Sequence, residues 1–316
     1  MDAIGGYFEL ELRKGEHYHP QTLKLNTARN CFEYILRARG YKKVYFPYYT
    51  CDVMLEPLSK LGIEYEFYHI NEALEPKEII KLKANEAFLY TNYFGLKQKR
   101  VEKLAGIYGK QLIVDNAQAF YAPHLDGIDT FYSPRKFFGV PDGGYLYTDK
   151  LLEEEIEQDY SLDRMSHLLI RADKTAEEGY SEFRRNSHEL VNNPIRKMSQ
   201  LTEKILSSID YSSIIKIRQE NYMFLNSALG KKNKFAFPLD DDDVPMVYPF
   251  YTDVESIRQK LIQNKIYVAT YWPNVLDWCG NKTLEFDLAK NILPLPIDQR
   301  YESEEMERII GIVNNV

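Results

Sequence analysis

Two stretches carry the pattern that decides the fold: IVDNAQAF at residues 113–120 and FYSPRKFFGVPDGGYLYT at residues 131–148. In the first, the apolar run Leu-Ile-Val passes directly into Asp115, where a buried strand would end. The second begins and ends with strand-like sequence and places Lys136 between the two strands. Ligands of open α/β sheets bind beyond the carboxyl ends of the strands, so both stretches are expected at a ligand site.

Asp115 and Lys136 are side chains that could bind a charged ring and react with an aldehyde. A carboxylate at a buried strand end is unfavourable unless a cation or hydrogen-bond donors meet it, and a protonated pyridine nitrogen is one such cation. A lysine on the neighbouring loop could form a Schiff base with an aldehyde. Taken singly, Asp115 could equally cap a turn and Lys136 could be a solvated surface lysine.

The same loop offers a candidate phosphate contact. Ser133 could donate a hydrogen bond to a phosphate group. Gly143 and Gly144 allow the backbone to pass close to a neighbouring segment, because no side chain stands in the way.

The first 150 residues alternate between helical and strand patterns. A helix is predicted from about Leu25, with Asn26 or Thr27 as its N-cap. Strands are predicted within residues 42–50, 63–70, 86–95, 111–120, 127–133 and 143–149. Such alternation needs crossover connections, so the predicted fold class is α/β with a mixed, mostly parallel sheet.

After residue 149 the sequence becomes mostly helical and highly charged. Residues 171–190 are polar enough to predict a mobile loop. The acidic run with a proline at residues 239–245 marks a domain boundary, which divides the chain into a large domain at 1–238 and a small C-terminal α+β domain at 239–316. A strand is predicted at residues 266–272 in this small domain.

Composition excludes several classes of function. The net charge of -7 argues against nucleic acid as the main partner. No apolar run approaches the ~20 residues needed to span a bilayer, and the first 20 residues lack a signal-peptide pattern. Three widely spaced cysteines suggest no disulfide framework and a cytoplasmic location.

Two histidine-containing segments are weaker candidates for a functional role. His17 and His19 could suggest a metal, but a flexible surface pair is the preferred interpretation, and no metal site is predicted. His124 and Asp126 could lie at the rim of the ligand site or serve only in a loop.

The order and spacing of these motifs resemble the DegT/StrS family of sugar aminotransferases. The likeness is carried by Asp115 with its following Ala-Gln, by Lys136, and by the Asp-Gly-Gly after it. It extends to KKVYFPYYT at 42–50, TNYFG at 91–95 and ILPLPIDQRYESEEMERI at 292–309, and so spans most of the chain.

The resemblance implies a fold-type I protein that depends on pyridoxal 5'-phosphate (PLP). Lys136 would be the Schiff-base lysine and the general base. Asp115 would meet the pyridine nitrogen, and Gln118 would lie against the cofactor ring or its hydroxyl group.

The resemblance also implies a phosphate site, with departures from the family pattern. Ser133 and the loop Thr27-Ala28-Arg29 would hold the phosphate at a helix N-terminus. The family's usual Ser-Gly-Thr is replaced here, so Arg29 could supply a charge-assisted bond instead of a hydroxyl donor. Ser133 lies nearer the lysine than the usual serine, whose aligned position is Phe131.

Cys51 stands where the family often has an aromatic residue that stacks on the cofactor, and it counts as a cofactor-binding candidate. Tyr48 or Tyr49 could take over the stacking role.

The segment NNPIRKMS at 192–199 faintly matches the family motif that reaches the partner subunit. It predicts Asn193 and Arg196 as contacts to a partner's cofactor in a homodimer. Such a dimer agrees with the general tendency of soluble oligomers to close as twofold pairs.

The resemblance thus implies an aminotransferase that takes an amino group from a donor, expected to be glutamate, and passes it to a nucleotide-linked keto sugar. Amino-sugar or surface-polysaccharide biosynthesis would be its setting. Two alternatives stay open: a catalytically impaired or regulatory relative that keeps PLP, and a cofactor-free carbohydrate-binding protein on the same fold.

Overall fold

A seven-stranded mixed sheet forms the centre of the protein. The computed structural model describes residues 4–235 and 237–315. The strands are β1 (Leu23–Leu25), β2 (Lys43–Pro47), β3 (Glu64–Tyr68), β4 (Glu86–Thr91), β5 (Leu112–Asn116), β6 (Asp129–Tyr132) and β7 (Gly144–Tyr147). They lie in the order β1-β7-β6-β5-β4-β2-β3; β7 is antiparallel to both of its neighbours, β1 and β6, and the other neighbouring pairs are parallel.

The central parallel strands are buried because apolar core residues pack on both faces of the sheet. Every residue of β4 and β5 is buried, which accounts for their nearly continuous apolar sequences. Register places Thr91 opposite Asp115, and Asp115 opposite Phe131. The last residues of three neighbouring strands therefore meet at one edge of the sheet.

Eleven α-helices lie along the described chain. They are α1 (Ala28–Arg39), α2 (Glu56–Leu61), α3 (Gln98–Tyr108), α4 (Ser166–Asp173), α5 (Ala176–Glu189), α6 (Gln200–Ser207), α7 (Tyr211–Leu229), α8 (Ser256–Gln263), α9 (Pro273–Trp278), α10 (Leu284–Asn291) and α11 (Ser303–Asn314). Among the described residues, none of these helices has both the length and the hydrophobicity required to cross a bilayer.

A second, two-stranded sheet lies in the C-terminal part of the chain. It pairs β8 (Tyr248–Tyr251) with β9 (Ile292–Leu295) in antiparallel register. Helix α7 packs against both β8 and α11. The proposed domain boundary at residue 239 stays a prediction.

The prediction of a mobile loop at residues 171–190 is wrong, because most of this segment is helix α5. Thr175 caps the helix by accepting a hydrogen bond from the backbone N–H of Glu178. Asn186 is buried and donates to the carbonyl of Pro141 at 2.9 Å. The polar composition reflects a helix that buries few of its residues and carries exposed ion pairs four residues apart, such as Arg185–Glu189.

The predicted strand at residues 266–272 is also wrong. The segment forms no strand, although Ile266, Val268 and Trp272 are buried. Alternating burial imitates a strand pattern here, but no neighbouring segment forms a hydrogen-bonded ladder with it.

The expectation that His17 and His19 form a flexible surface pair is wrong as well. His19 is 4% exposed, and its Nε2 donates to the carbonyl of Phe120 at 2.7 Å. Its Nδ1 then accepts from the Tyr147 hydroxyl at 3.2 Å. Nδ1 of His17 lies 2.6 Å from the Tyr145 hydroxyl. Tyr145 and Tyr147, which lie two residues apart on β7, thus bind His17 and His19, which are also two residues apart. No group of three possible metal ligands occurs among the described residues.

His19 makes the stability of the fold depend on pH. Burial lowers the pKa of His19 to about 4, against roughly 6.5 for an unfolded histidine. The unfolded chain therefore binds the proton more tightly, and the free energy of unfolding should fall as the pH drops from about 6.5 to about 4, by up to about 3 kcal/mol. Urea unfolding at pH 7 and pH 4.5 measures this loss.

His19→Gln should flatten that pH dependence relative to the unsubstituted protein. His188→Gln provides the matched control, because His188 is an exposed residue near the end of α5. An unchanged pH dependence in His19→Gln would contradict the assignment.

Candidate active site

A cavity opens at the carboxyl ends of β4, β5 and β6, beside the first turn of α1. It is lined by Thr27, Ala28, Arg29, Thr50, Cys51, Val53, Met54, Thr91, Asp115, Ala117, Gln118, Ser133, Arg135, Lys136, Gly143 and Trp272. All eight residues expected to bind a cofactor lie in this wall, although they come from four separate parts of the sequence. The fold therefore brings together the residues that the motifs singled out.

Asp115 is a buried carboxylate without an ion-pair partner among the described residues. It lies near the end of β5 and is 5% exposed. Its Oδ1 accepts from the backbone N–H of Ala117 at 2.8 Å. Burial raises the pKa of Asp115, while the positive charge of Lys136 and the Ala117 N–H oppose this rise. The site therefore favours an added positive group next to this carboxylate.

Lys136 carries a free amine in the same cavity wall. The 3-10 turn Pro134–Lys136 follows β6, and the backbone N–H of Lys136 donates to the carbonyl of Ser133 at 3.3 Å. Lys136 is exposed and has no ion-pair partner within the described chain. Its charge lowers the pKa of both Asp115 and Cys51 against the effect of burial. The amine is thus free for chemistry and electrostatically coupled to Asp115.

Besides Arg29 Nε, two buried polar atoms in the wall lack partners within the part of the chain that the structure describes. Gln118 accepts from the backbone N–H of Phe94 at 3.0 Å, but its Nε2 has no acceptor. Thr91 Oγ1 is also without a partner. An unsatisfied buried group costs about 1–3 kcal/mol, so a ligand that bonds to these atoms would recover that energy.

The first turn of α1 and the start of β7 approach each other closely. Thr27 caps α1 by accepting from the N–H of Asn30 at 3.0 Å. The N–H of Gly143 donates to the carbonyl of Asn26 at 2.6 Å. A Cβ at Gly144 would lie 2.6 Å from the carbonyl carbon of Thr27, which explains the Gly-Gly pair. These contacts hold the N-terminus of α1 next to residues 133–143, the loop that carries Lys136 (hereafter the Lys136 loop).

Arg29 lies in the wall, but a carboxylate already meets its charge. Its guanidinium pairs with Glu56. The other oxygen of Glu56 accepts from the backbone N–H of Asn192 at 2.8 Å. Arg29 Nε is buried without a partner among the described residues. The role of Arg29 as a direct phosphate ligand stays a prediction.

Cys51 lies in the wall, but neither Tyr48 nor Tyr49 does. Tyr48 stacks on Phe67 with ring centres 4.7 Å apart. Tyr49 packs edge-on against Trp272 at 4.9 Å. The tyrosines are thus used for packing outside the cavity. Burial raises the pKa of the Cys51 thiol, with Lys136 opposing the rise.

Asn193 and Arg196 contact groups of their own chain. The side-chain amide of Asn193 donates to the carbonyl of Glu189 at 2.8 Å, and the Arg196 guanidinium lies 3.7 Å from Asp159. The carbonyl of Arg196 accepts from the N–H of Asn26 at 2.9 Å, so this segment supports the loop before α1. Contact of either side chain with a partner's cofactor remains a prediction.

Sequence reasoning missed several residues of the wall, and Arg135 and Trp272 are two of them. Arg135 directly precedes Lys136, and a second basic residue on a ligand-site loop was the available signal. Trp272 comes from the C-terminal part of the chain, and no motif connects it to the cavity. His124 and Asp126 do not line the cavity; His124 stacks on Tyr147 with ring centres 3.7 Å apart.

Comparisons with known proteins identify the fold. No family model and no curated protein matches the sequence. The structure resembles DesV of S. venezuelae at 18% identity, covering 93% of this chain and 84% of that chain with a TM-score of 0.63. It also resembles a DegT DnrJ EryC1 StrS aminotransferase from Brucella abortus at 16% identity, covering 93% and 85% with a TM-score of 0.60.

A third similar structure, NtdA of Bacillus subtilis, was solved with bound cofactor PMP. It is 17% identical, and the match covers 93% of this chain and 72% of that chain with a TM-score of 0.66. The chain thus has the fold of the PLP-dependent sugar aminotransferases of DegT/StrS type. The predicted fold-type I class is confirmed, and the family resemblance is confirmed at the level of the fold.

Proposed function

We propose that the protein is a PLP-dependent aminotransferase that acts on a keto sugar. The observation that carries this proposal is the meeting of an unpaired Lys136 and a buried, unpaired Asp115 in one cavity of this fold. A nucleotide-linked sugar, glutamate as the amino donor, a role in amino-sugar or surface-polysaccharide biosynthesis and a cytoplasmic location are the finer parts of the proposal.

The donor set fits PLP. Asp115 offers a buried carboxylate for a protonated ring nitrogen, and the unpartnered Nε2 of Gln118 offers a donor for the ring hydroxyl. The first turn of α1 offers free backbone N–H groups for a phosphate. When bound, PLP supplies an aldehyde and an electron sink.

The residues of the chain have distinct roles in the proposed reaction. Lys136 would hold the cofactor covalently and, once released, would move a proton at its Nζ to and from the substrate carbon. Asp115 would keep the ring nitrogen protonated, because a buried carboxylate favours a positive partner. Trp272, Met54 and Val53 would exclude water from one side of the cavity.

A PLP-binding relative with impaired turnover is the second candidate. Two observations favour it: the charge of Arg29 is already paired with Glu56, and Cys51 replaces an aromatic residue at the wall. Amino transfer from glutamate to a keto sugar, followed by mass spectrometry of the product, separates the two candidates. The unpartnered donors of the cavity weigh against a cofactor-free protein.

Lys136 should be the attachment point of PLP. Protein incubated with PLP should show a visible absorption band that borohydride removes, and peptide mapping should then find a pyridoxyl group on Lys136. Lys136→Ala should lose the band, whereas Lys99→Ala, at an exposed surface lysine, should keep it. A pyridoxyl group on a different lysine would overturn the assignment.

Asp115→Asn should separate binding from turnover. The amide keeps the shape of the side chain but removes the charge that stabilises a ring proton, so PLP should still bind while turnover falls by orders of magnitude. Asp126→Asn removes one charge from a fully exposed side chain and serves as the control. Retention of full turnover in Asp115→Asn would show that Asp115 only caps the turn at Ala117.

We further propose that the active unit is a homodimer. Exposed apolar side chains on and before the α4–α5 hairpin support a buried partner surface; they are Tyr160, Leu162, Leu169, Tyr180 and Phe183. Light scattering should give twice the monomer mass of 37.2 kDa.

Leu169→Glu should weaken the dimer, while Met223→Glu on α7 should not. A monomer mass for the unsubstituted protein at micromolar concentration would refute the dimer.

A further inference from the structure

Arg135 is an arginine in the cavity wall that the motif analysis did not assign. It stands between Ser133 and Lys136 in the wall that also contains the first turn of α1. Its side chain makes one hydrogen bond with another side chain, from Nη2 to the Ser187 hydroxyl at 3.3 Å. A guanidinium has five N–H donors, so most of its donor capacity is left for a ligand.

The charge of Arg135 is not met by a carboxylate within the described chain, unlike the charges of the arginines nearby. Arg29 pairs with Glu56, and Arg164 pairs with Asp159 at 2.9 Å. Asp142, the acidic group that acts most strongly on Arg135, is itself bound to Ser199 and Thr202. Arg135 is therefore a half-buried cation that no described carboxylate pairs with, and an anionic ligand could bind to it.

The electrostatics of the cavity agree with this picture. Burial, together with the positive charges of Arg29 and Arg164, lowers the pKa of Arg135 to about 10, against the opposing effect of Asp142. The guanidinium groups of Arg29 and Arg135, both in the cavity wall, thus repel each other. An anion bound beside Arg135 would remove both the repulsion and part of the desolvation penalty.

The other donors at this end of the cavity suit a phosphate group. The Ser133 hydroxyl and the backbone N–H groups of the first turn of α1 lie in the same wall as Arg135. The Thr27 hydroxyl is already used, because it accepts from the backbone N–H of Asn30 and donates to the side-chain oxygen of Asn30. A cation is therefore the main group available to neutralise the two charges of a phosphate ester.

We propose that Arg135 is the principal cationic ligand of the cofactor phosphate and that Arg29, held by Glu56, supports the helix turn. This inference rests on the proposed function, since it assumes that PLP occupies the cavity. It implies that Arg135 sets the preference for PLP over pyridoxal, which has the same ring and aldehyde but no phosphate.

The test is equilibrium binding of PLP and of pyridoxal to the full chain and to four variants. Arg135→Gln should weaken PLP binding about 10- to 100-fold, the scale of a lost charged hydrogen bond, and should leave pyridoxal binding unchanged. Arg135→Lys should restore part of the preference for PLP over pyridoxal, because lysine returns the positive charge but lacks the planar guanidinium and its paired N–H donors.

Arg29→Gln should weaken PLP binding less than Arg135→Gln, because Glu56 already neutralises Arg29. Ser187→Ala removes the hydrogen-bond partner of Arg135 on α5 and should leave the preference for PLP nearly intact. Unchanged pyridoxal binding also shows that a variant is folded.

Three results would overturn the inference. An equal loss of PLP and pyridoxal in Arg135→Gln would indicate a structural role for Arg135. Unchanged PLP binding in that variant would place the phosphate elsewhere while leaving the proposed function intact. Failure of the unsubstituted protein to bind PLP would refute the proposed function and this inference together.

Discussion

The close approach between β7 and the first turn of α1 is the constraint on which the site depends. The carbonyl of Asn26 accepts from Gly143 at 2.6 Å, and a Cβ at Gly144 would be only 2.7 Å from the nitrogen of Ala28. Because the loop that ends at these glycines also carries Lys136, this contact sets the lysine beside the helix N-terminus. A bulkier residue would push the two parts of the cavity apart.

Buried hydrogen bonds stabilise the close approach of β7 and α1. Asp142 is fully buried and accepts from the backbone N–H of Ser199 at 3.1 Å, which ties the Lys136 loop to the start of α6. The side-chain amide of Asn26 donates to Pro194 at 3.0 Å, which ties the loop before α1 to the same segment. Residues 190–199 thus support the site from within the same chain. Such a buried hydrogen-bonded network favours one geometry of the cavity over others.

Charge is distributed unevenly within the cavity. Asp115 lies at the end of β5, and no cation among the described residues forms an ion pair with it. Arg135 lines the same cavity as the first turn of α1, and no described carboxylate forms an ion pair with it. A ligand with a cationic ring nitrogen and an anionic phosphate is complementary to both. The unpartnered Gln118 Nε2 and Thr91 Oγ1 add neutral donors to the same wall. This polarity supports an elongated zwitterionic ligand more than a neutral sugar alone.

The sequence by itself determined the strand–helix alternation and the members of the cavity wall that belong to short motifs, and it narrowed the cap of α1 to Asn26 or Thr27, because these features depend on local spacing and on the ends of buried strands. The sequence-based prediction was wrong for residues 171–190, where a polar sequence forms a helix. It was also wrong for His19, which is buried against tyrosines that are distant in the chain. Only the tertiary structure decided that Glu56 neutralises Arg29 and that Arg135 is left unpaired. Ion pairing depends on distances between residues far apart in the chain, and local sequence does not encode those distances.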